Sequence, residues 1–401
     1  MATTNVSSVF SSIGALAEPR LASAKVTGLM LLALLLTAIG LGTGVYSFIV
    51  GHEHLYAVTR EVPWGILISS YAYFAIISTG LCLLAAISHL FGGNALAPLA
   101  NRGVYLSIIT ILSAFSIIGM ELESPWRMLI YNVLTPNLSS NIWWMGTLYG
   151  LAVACMAVEF LAILMGRFGI AVAVGCVGAL AEVGANSNLG AVFATLAARP
   201  FWYGAQLPVY FLASAVTCGA AAIIMFTYLA YKLRGEEVDA ETKAGLKSAG
   251  KILTMMLFLL AVATVWRTIV FFTGETELSS AAVANLLTGP ASINFWLFET
   301  LIGMVIPIGL LLFSRMENLV AMASASFMVL VGAFFQRYDL VTVGQQTPVY
   351  YGLDTSLPSF MGYMPSAGEL LVVMGGISLT FLGFLAGERL FGKVFRHSGH
   401  H

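Results

Sequence analysis

The side chains of this 401-residue chain best placed to do chemistry are the ionisable ones that its apolar stretches enclose: His89, Glu159, Glu182, Arg267 and Glu299. Charge at membrane depth costs about 2.5–3.5 kcal/mol even on the lenient insertion scale, so such residues are usually retained for proton, ion or ligand handling. Glu159 falls in the inner half of its stretch, Glu182 near the middle of the next, and His89 near the inner face. Carboxyl groups at stepped depths are what a proton half-channel needs, because a buried acid can exchange its proton. Snorkelling or a local hydrogen bond accounts equally well for Glu159 and His89. Arg267 and Glu299 reach similar depths in consecutive stretches, so they are expected to pair, either as a static ion pair or as part of a proton- or ligand-handling site. Tyr71 and Tyr73 lie a few turns inside another stretch, where a phenol bonds a ligand carbonyl or a neighbouring helix with equal ease.

The elements that position these groups follow from composition. The chain is 59% hydrophobic and only 9% charged, with a mean hydropathy of +0.90, whereas soluble proteins are roughly a quarter charged. It therefore reads as an all-α integral membrane protein. Windows of about 20 apolar residues place spans near 26–50, 63–91, 103–120, 142–165, 168–195, 205–231, 252–273, 292–314, 317–335 and 367–388. The first 25 residues lack the apolar core of a cleavable signal, so the first span is expected to remain as an anchor.

Thirteen of the eighteen Lys and Arg residues, from Arg20 to Arg396, fall on one side if the N-terminus is cytoplasmic; Arg60, Arg127, Arg199 and Arg337 fall on the other. The positive-inside rule then puts both termini in the cytoplasm. The outer segments 51–62, 121–141, 274–291 and 336–366 are long and rich in Trp, Tyr, Pro, Asn and Gln. Such a rim suggests a docking surface, the alternative being plain solvated loops.

Some chemistries are disfavoured. The six histidines, His52, His54, His89, His397, His400 and His401, supply no pairs within helices for axial haem ligation. The four cysteines, Cys82, Cys155, Cys176 and Cys218, fall in four different spans without C-x-x-C spacing, so no cluster or zinc site is readable. Gly-rich phosphate loops are absent, and a net charge of −1 gives no hint of nucleic acid.

Three outer-face motifs, in order and at span ends, resemble the NrfD/polysulfide-reductase membrane-subunit family. They are Glu123-Ser124-Pro125-Trp126-Arg127, Asn141-Ile142-Trp143-Trp144-Met145-Gly146 and Arg199-Pro200-Phe201-Trp202-Tyr203-Gly204. Phe335-Gln336-Arg337-Tyr338, Gly344-Gln345 and Pro365-Ser366-Ala367-Gly368-Glu369 are similar to segments of its longer, ten-span branch. That branch includes membrane subunits of hydrogenases, of quinone-reductase and sulfite-reductase-associated complexes, and of alternative complex III.

The resemblance implies two four-helix bundles, spans two to five (63–198) and six to nine (199–335). Outside them lie an N-terminal segment (1–25), a peripheral first helix with its loop (26–62), and a last loop, helix and tail (336–401). It also implies a menaquinone or ubiquinone pocket near the outer face of the first bundle, and no haem, iron–sulfur cluster or metal in this chain. A ferredoxin-like iron–sulfur subunit on the periplasmic face is the implied partner, with a further multihaem or molybdopterin-type redox subunit, all in a bacterial inner membrane. Glu123, Arg127, Trp143, Trp144, Arg199 and Trp202 match motif positions that resemble the pocket rim or its support; Tyr71 and Tyr73 join them as pocket candidates. Short family members carry a histidine and an asparagine early in span two. Alignment on Gly80 puts Tyr71 and Ile68 or Ser69 there instead.

The expected function is thus a quinone-reactive membrane subunit, with His89, Glu159 and Glu182 as an inner proton route and Arg267 with Glu299 as a buried site in the second bundle. A secondary transporter also explains ten spans and buried charge, but it should show a pair of interrupted spans, and none is readable. A purely structural anchor for an electron-transfer partner is the third reading.

Overall fold

The computed structural model describes residues 21, 23–91, 93–274, 276–348 and 358–396. Arg20 and the histidines at 397, 400 and 401 lie outside them. Among the described residues ten helices are long and apolar enough to cross a membrane: α1 (Ala24–Val50), α2 (Ile66–Phe91), α3 (Ala97–Glu121), α4 (Asn141–Leu164), α5 (Phe168–Ala194), α6 (Gln206–Arg234), α7 (Ala240–Phe272), α8 (Asn294–Phe313), α9 (Leu319–Gln346) and α10 (Ala367–Phe391). Among the described residues there is no strand. Helices satisfy every internal backbone group within the segment, which hydrocarbon demands.

Consecutive helices run antiparallel, so their connections sort onto two ends. One end gathers the described parts of connections 51–65, 122–140, 195–205, 273–293 and 347–366; we call it the motif face. Tyr56 Oη donates to Met120 O (3.0 Å) and Trp64 N to Gln345 Oε1 (2.9 Å) there. The opposite, terminal face carries both ends of the described chain, tied by Asn101 Nδ2 to Val394 O (3.1 Å) and Arg396 to Glu236 (2.7 Å). Side-chain caps start several helices: Ser140 accepts from Trp143 N, Asp239 from Thr242 N, and Ser366 with Glu369 forms a capping box.

Burial ranks the helices. The most apolar window of α2 is 83% buried, that of α1 only 22%, so α2 is the axis of the fold and α1 its lipid-facing margin. α2 packs on α3, α5, α6 and α9, while α1 packs chiefly on α10. Leu31, Leu32, Leu34 and Leu35 cover the outside of α1. Lipid tails are as apolar as leucine, so close packing of small residues holds the interior. α2 and α6 touch at Gly80 and Gly219: a Cβ on Gly80 would lie 2.8 Å from the Gly219 Cα and closer still to the Ala215 carbonyl.

Three predicted bounds are corrected. Span nine does not end at 335; α9 continues to Gln346, so Arg337 is not in an outer segment but buried inside a helix. The hydropathy window stopped at Gln336, Arg337 and Asp339, whose polarity the fold absorbs with internal partners. Span seven starts at Ala240 rather than 252, so most of the charged linker 232–251 is helix. Span three starts at Ala97 rather than 103, with a proline in its first turn, where no amide donor is needed.

α8 is unusual. Asn294–Val305 is wound as a π-helix and passes into ordinary α geometry just before Pro307. Such wide turns are rare and recur at functional sites.

Candidate functional site

Glu182, halfway along α5, is fully buried against α2. Thr79 Oγ1 donates to one carboxylate oxygen (2.6 Å) and Ser78 Oγ lies 3.2 Å from the other, while Ser78 also reaches the Ser107 carbonyl on α3. Among the described residues no cation stands within 4.0 Å of it. Tyr71 and Tyr149 approach the same carboxyl, and the buried Tyr149 hydroxyl lies beside Thr79. Asn186 lies one turn beyond Glu182, and both polar atoms of its amide are buried without a partner. Buried polar groups are nearly always paired, so this unpaired amide suits a polar guest or water. A carboxyl with hydroxyl donors and no counter-cation is equipped to pass a proton to that guest.

Towards the terminal face the row continues. His89 Nδ1 on α2 stands 3.4 Å from Glu159 Oε1 on α4, with the carboxylate buried and the imidazole part-open. Glu159 is pressed onto α5 at Gly175, where a Cβ would come within 2.6 Å of Oε1. Seven residues of α5 separate Gly175 from Glu182, about 10 Å at 1.5 Å per residue. Cys82 lies in that interval, close enough to feel both carboxylates. The structure thus joins two of the predicted inner-route residues directly and leaves a gap to the third.

The predicted pocket residues are dispersed. Tyr71 faces Glu182, but Tyr73, two positions on, points the other way into an apolar cavity of about 540 Å³ among α2, α3, α6, α9 and α10, with Phe74, Phe226, Phe334 and Phe381 in its walls. Arg199 donates to the carbonyls of Gln345 (3.1 Å) and Thr347 (3.0 Å), and Trp202 to that of Leu340 (2.6 Å). Trp202 stacks on Trp64, centroids 5.4 Å apart, and Gln345 clamps Trp64 through both backbone groups. Arg199 and Trp202 therefore lock the motif-face end of α9 to the connection before α6, with Trp64 of the connection before α2 stacked alongside. Trp143 and Trp144 donate to the Asn132 and Leu138 carbonyls, securing the connection before α4. Glu123 and Arg127 are exposed at the start of a short surface helix, Pro125–Leu134.

Arg267 and Glu299 do not form the expected pair: no salt bridge within 4.0 Å joins them, although each lies within range of the other's charge. Gln336 intervenes instead, with Nε2 2.6 Å from Tyr210 Oη and 3.3 Å from Glu299 Oε1. Arg337 bonds Ser214 and lies 4.1 Å over the Phe211 ring; Asn294 donates to Asp339 (2.9 Å). Two guanidinium groups and two carboxyl groups thus share one buried cluster near the motif face.

A family model for NrfD, polysulphide reductase, matches residues 54–349, about three quarters of the chain. The chain belongs to the NrfD family. Its match covers α2 to α9 and both buried clusters; α1 and α10 lie outside it. The chain is 25% identical to the Hdr-like menaquinol oxidoreductase integral membrane subunit of Archaeoglobus fulgidus, over 88% of this chain and 90% of that protein. It is 23% identical to a selenate reductase subunit of Mesobacillus selenatarsenatis, over 82% and 85%. To a putative dimethyl sulfoxide reductase membrane subunit of Halobacterium salinarum it is 26% identical, over 93% of each.

Within this NrfD-family chain, sequence reasoning missed several residues of the two clusters. Asn186 carried a usable signal, standing four positions after Glu182 and hence on its face. Tyr149, Ser78 and Thr79 carried none, since hydroxyl groups in membrane helices more often bond their own backbone, as Thr79 also does to Ala75 O (3.1 Å). A third buried site at the terminal face was missed as well: Glu388 of α10 binds Arg102 of α3 and Arg234 of α6.

Proposed function

We propose that this NrfD-family chain is the quinone-interacting membrane subunit of a multi-subunit respiratory oxidoreductase. The reading rests on the Glu182 constellation: a counter-ion-free buried carboxyl beside two phenols and an unpaired amide. Quinone reduction takes two electrons and two protons and returns a quinol; oxidation reverses both. A quinone head beside Asn186 and Tyr149 would find donors for its carbonyl oxygens, with Glu182 exchanging a proton through Thr79 or Tyr149. The names of the relatives, an integral membrane subunit of a menaquinol oxidoreductase and subunits of two reductases, support the quinone as substrate.

Electrons enter or leave, on this reading, through an iron–sulfur partner seated on the motif face, where Glu123, Trp126 and Arg127 are exposed. The excess of Lys and Arg at the terminal face supports a cytoplasmic position for that face and a periplasmic one for the motif face. His89 and Glu159 then form the cytoplasmic mouth of a proton route to Glu182. A transporter would need paired broken helices; α8 departs from α geometry, but α4, its counterpart in the first half, is an unbroken α-helix.

The test is Glu182→Gln in the intact complex. Quinone turnover should fall about 10²-fold or more, the usual worth of a positioned proton-transfer group, while assembly and reduction of a water-soluble electron acceptor persist. Unchanged quinone turnover would overturn the proposal.

A further inference from the structure

α7 is longer than a bilayer needs. Its 33 residues span about 50 Å at 1.5 Å per residue, against a hydrocarbon thickness of about 30 Å. Residues 252–266 carry no ionisable side chain, whereas the turns before them hold Lys243, Lys247 and Lys251. The spacing of four sets these lysines in one stripe, which continues along the same side of the helix through Met255 and Leu259, 58% and 49% exposed. That side is therefore cationic first and apolar after, with Lys251 at the border.

The turn between α8 and α9 brings a fourth cation to the stripe. Met316 packs against α7, where a Cβ on Gly250 would lie 3.4 Å from its Cγ. Glu317 bonds Lys247 and stands 3.9 Å from Lys243 Nζ. Arg315, in the same turn, is exposed. Arg315 and Met316 are the two non-glycine residues with positive φ among those described, 50° and 58°. Left-handed backbone is costly for a residue with a Cβ, so the contacts of Met316 and Glu317 with α7 must hold this turn and thereby fix Arg315 beside the stripe. Immediately before the turn, Leu312 and Phe313 are 47% and 92% exposed.

Positive charge is left over in this patch. Lys243, Lys247, Lys251 and Arg315 are set against one carboxylate, Glu317, since Glu241 stands two residues from Lys243 and on the far side of the helix. Glu317 serves Lys243 and Lys247, and among the described residues no carboxylate lies within 4.0 Å of Lys251 or Arg315. We infer that the patch is a head-group site for an anionic phospholipid, with its phosphate between Lys251 and Arg315 and its acyl chains along Met255, Leu259 and Phe313. Charge and polarity together select this ligand. A zwitterionic lipid would carry its own cation into a patch already in excess, and an acidic peptide would use the lysines but not the apolar surface that continues from them. An anionic amphiphile matches both parts. The inference is independent of the quinone reading, because none of these residues belongs to the Glu182 constellation.

The experiment uses the full chain, purified with whatever subunits accompany it and titrated with phosphatidylglycerol or with phosphatidylcholine of the same acyl chains. Native mass spectrometry counts the bound lipids. Phosphatidylglycerol should bind the more tightly. A basic residue near the membrane surface is worth about fivefold in affinity for an anionic lipid, so Lys251→Gln and Arg315→Gln should each weaken binding about fivefold and together about 25-fold. Both side chains are exposed, so folding is not at stake. Arg167→Gln, in the exposed turn between α4 and α5 on the same face of the protein, removes a charge elsewhere and should change nothing. Equal affinity for the two lipids, or binding indifferent to both substitutions, would overturn the inference. So would an equal loss in Arg167→Gln, which would show diffuse attraction to charge, or an acidic protein partner lost from the double variant while phosphatidylglycerol stays bound.

Discussion

Nε of Arg102 on α3 lies 2.6 Å from Oε1 of Glu388 on α10, and both side chains are 1% exposed. Arg234 of α6 binds the other oxygen of the same carboxylate, and Arg102 also reaches Thr227 Oγ1 (3.3 Å). One carboxylate thus ties three helices at the terminal face.

Glu388→Ala should therefore leave two buried guanidinium groups without their shared anion and cost about 3–5 kcal/mol, the range for breaking a buried pair from one side. Replacing Arg102 and Glu388 together by apolar residues should recover part of that loss, because the desolvation of both goes with them. Thermal unfolding in detergent, followed by tryptophan fluorescence, measures both. Equal midpoints for Glu388→Ala and the unaltered protein would show that the triad contributes nothing.

Gly80 and Gly219 set the crossing of α2 over α6, with backbone atoms on both sides of the contact. Backbone cannot rotate away as a side chain can, so Gly80→Ala should force the helices apart and destabilise by about 1–3 kcal/mol, as overpacking generally does. Gly150→Ala on α4 is the control: nothing lies within 4 Å of its added methyl, and the helix should gain about 0.5–1 kcal/mol. Opposite signs in the two melting shifts are the expected result.

Hydropathy alone located all ten helices, because a bilayer imposes one requirement, length in apolar residues, that a sequence displays directly. It failed where the requirement is relaxed. Gln336, Arg337, Asp339, Gln345 and Gln346 read as a loop, yet each is buried in α9, where Tyr210, Ser214, Asn294, Trp64 and Asn285 supply partners from other elements. Those partners are distant in sequence and invisible in a local window. The depths of Glu182, Glu159 and His89 were legible for the same reason as the spans, but the rotation of each helix was not. Tyr71 and Tyr73 were grouped by depth, and the structure separates them because two residues of helix turn through about 200°. Arg199 and Trp202 stand out in a motif, and their observed contacts join α9 to the connection before α6, a role that spacing cannot distinguish from ligand binding.

His52 connects pH to the motif face. It sits between Phe48 and Tyr56, ring centroids 5.4 and 5.0 Å away, and burial holds its pKa below the ordinary 6.5 against the opposing pull of Glu123 and Glu53. The unfolded chain therefore binds a proton more readily than the folded one. The stability this neutral imidazole contributes is present above pH 6.5 and declines as pH falls from there through the lower folded value. His52→Phe keeps the ring contacts and removes the titration, so its melting midpoint should vary less between about pH 7.5 and 5 than that of the unaltered protein. Parallel pH profiles for the two proteins would rule His52 out as the source.

The contact of His89 with Glu159 makes the most direct prediction about proton movement. The pair stands at the terminal face, the carboxylate buried and the imidazole part-open, which is the arrangement of a group that collects a proton from water and passes it inward. Glu159→Gln keeps the packing against Gly175 while removing the exchangeable site. In the intact complex reconstituted into vesicles, this variant should slow proton exchange on the terminal-face side and quinone turnover together, by about 10²-fold if the pair is the sole entrance. His89→Gln should slow them less, because the position is part-open and water can still reach the carboxylate there. If proton exchange stops while quinone turnover continues at its original rate, the protons of the Glu182 site come from the motif face, and the row from His89 to Glu182 is a structural hydrogen-bond path instead of a conducting one.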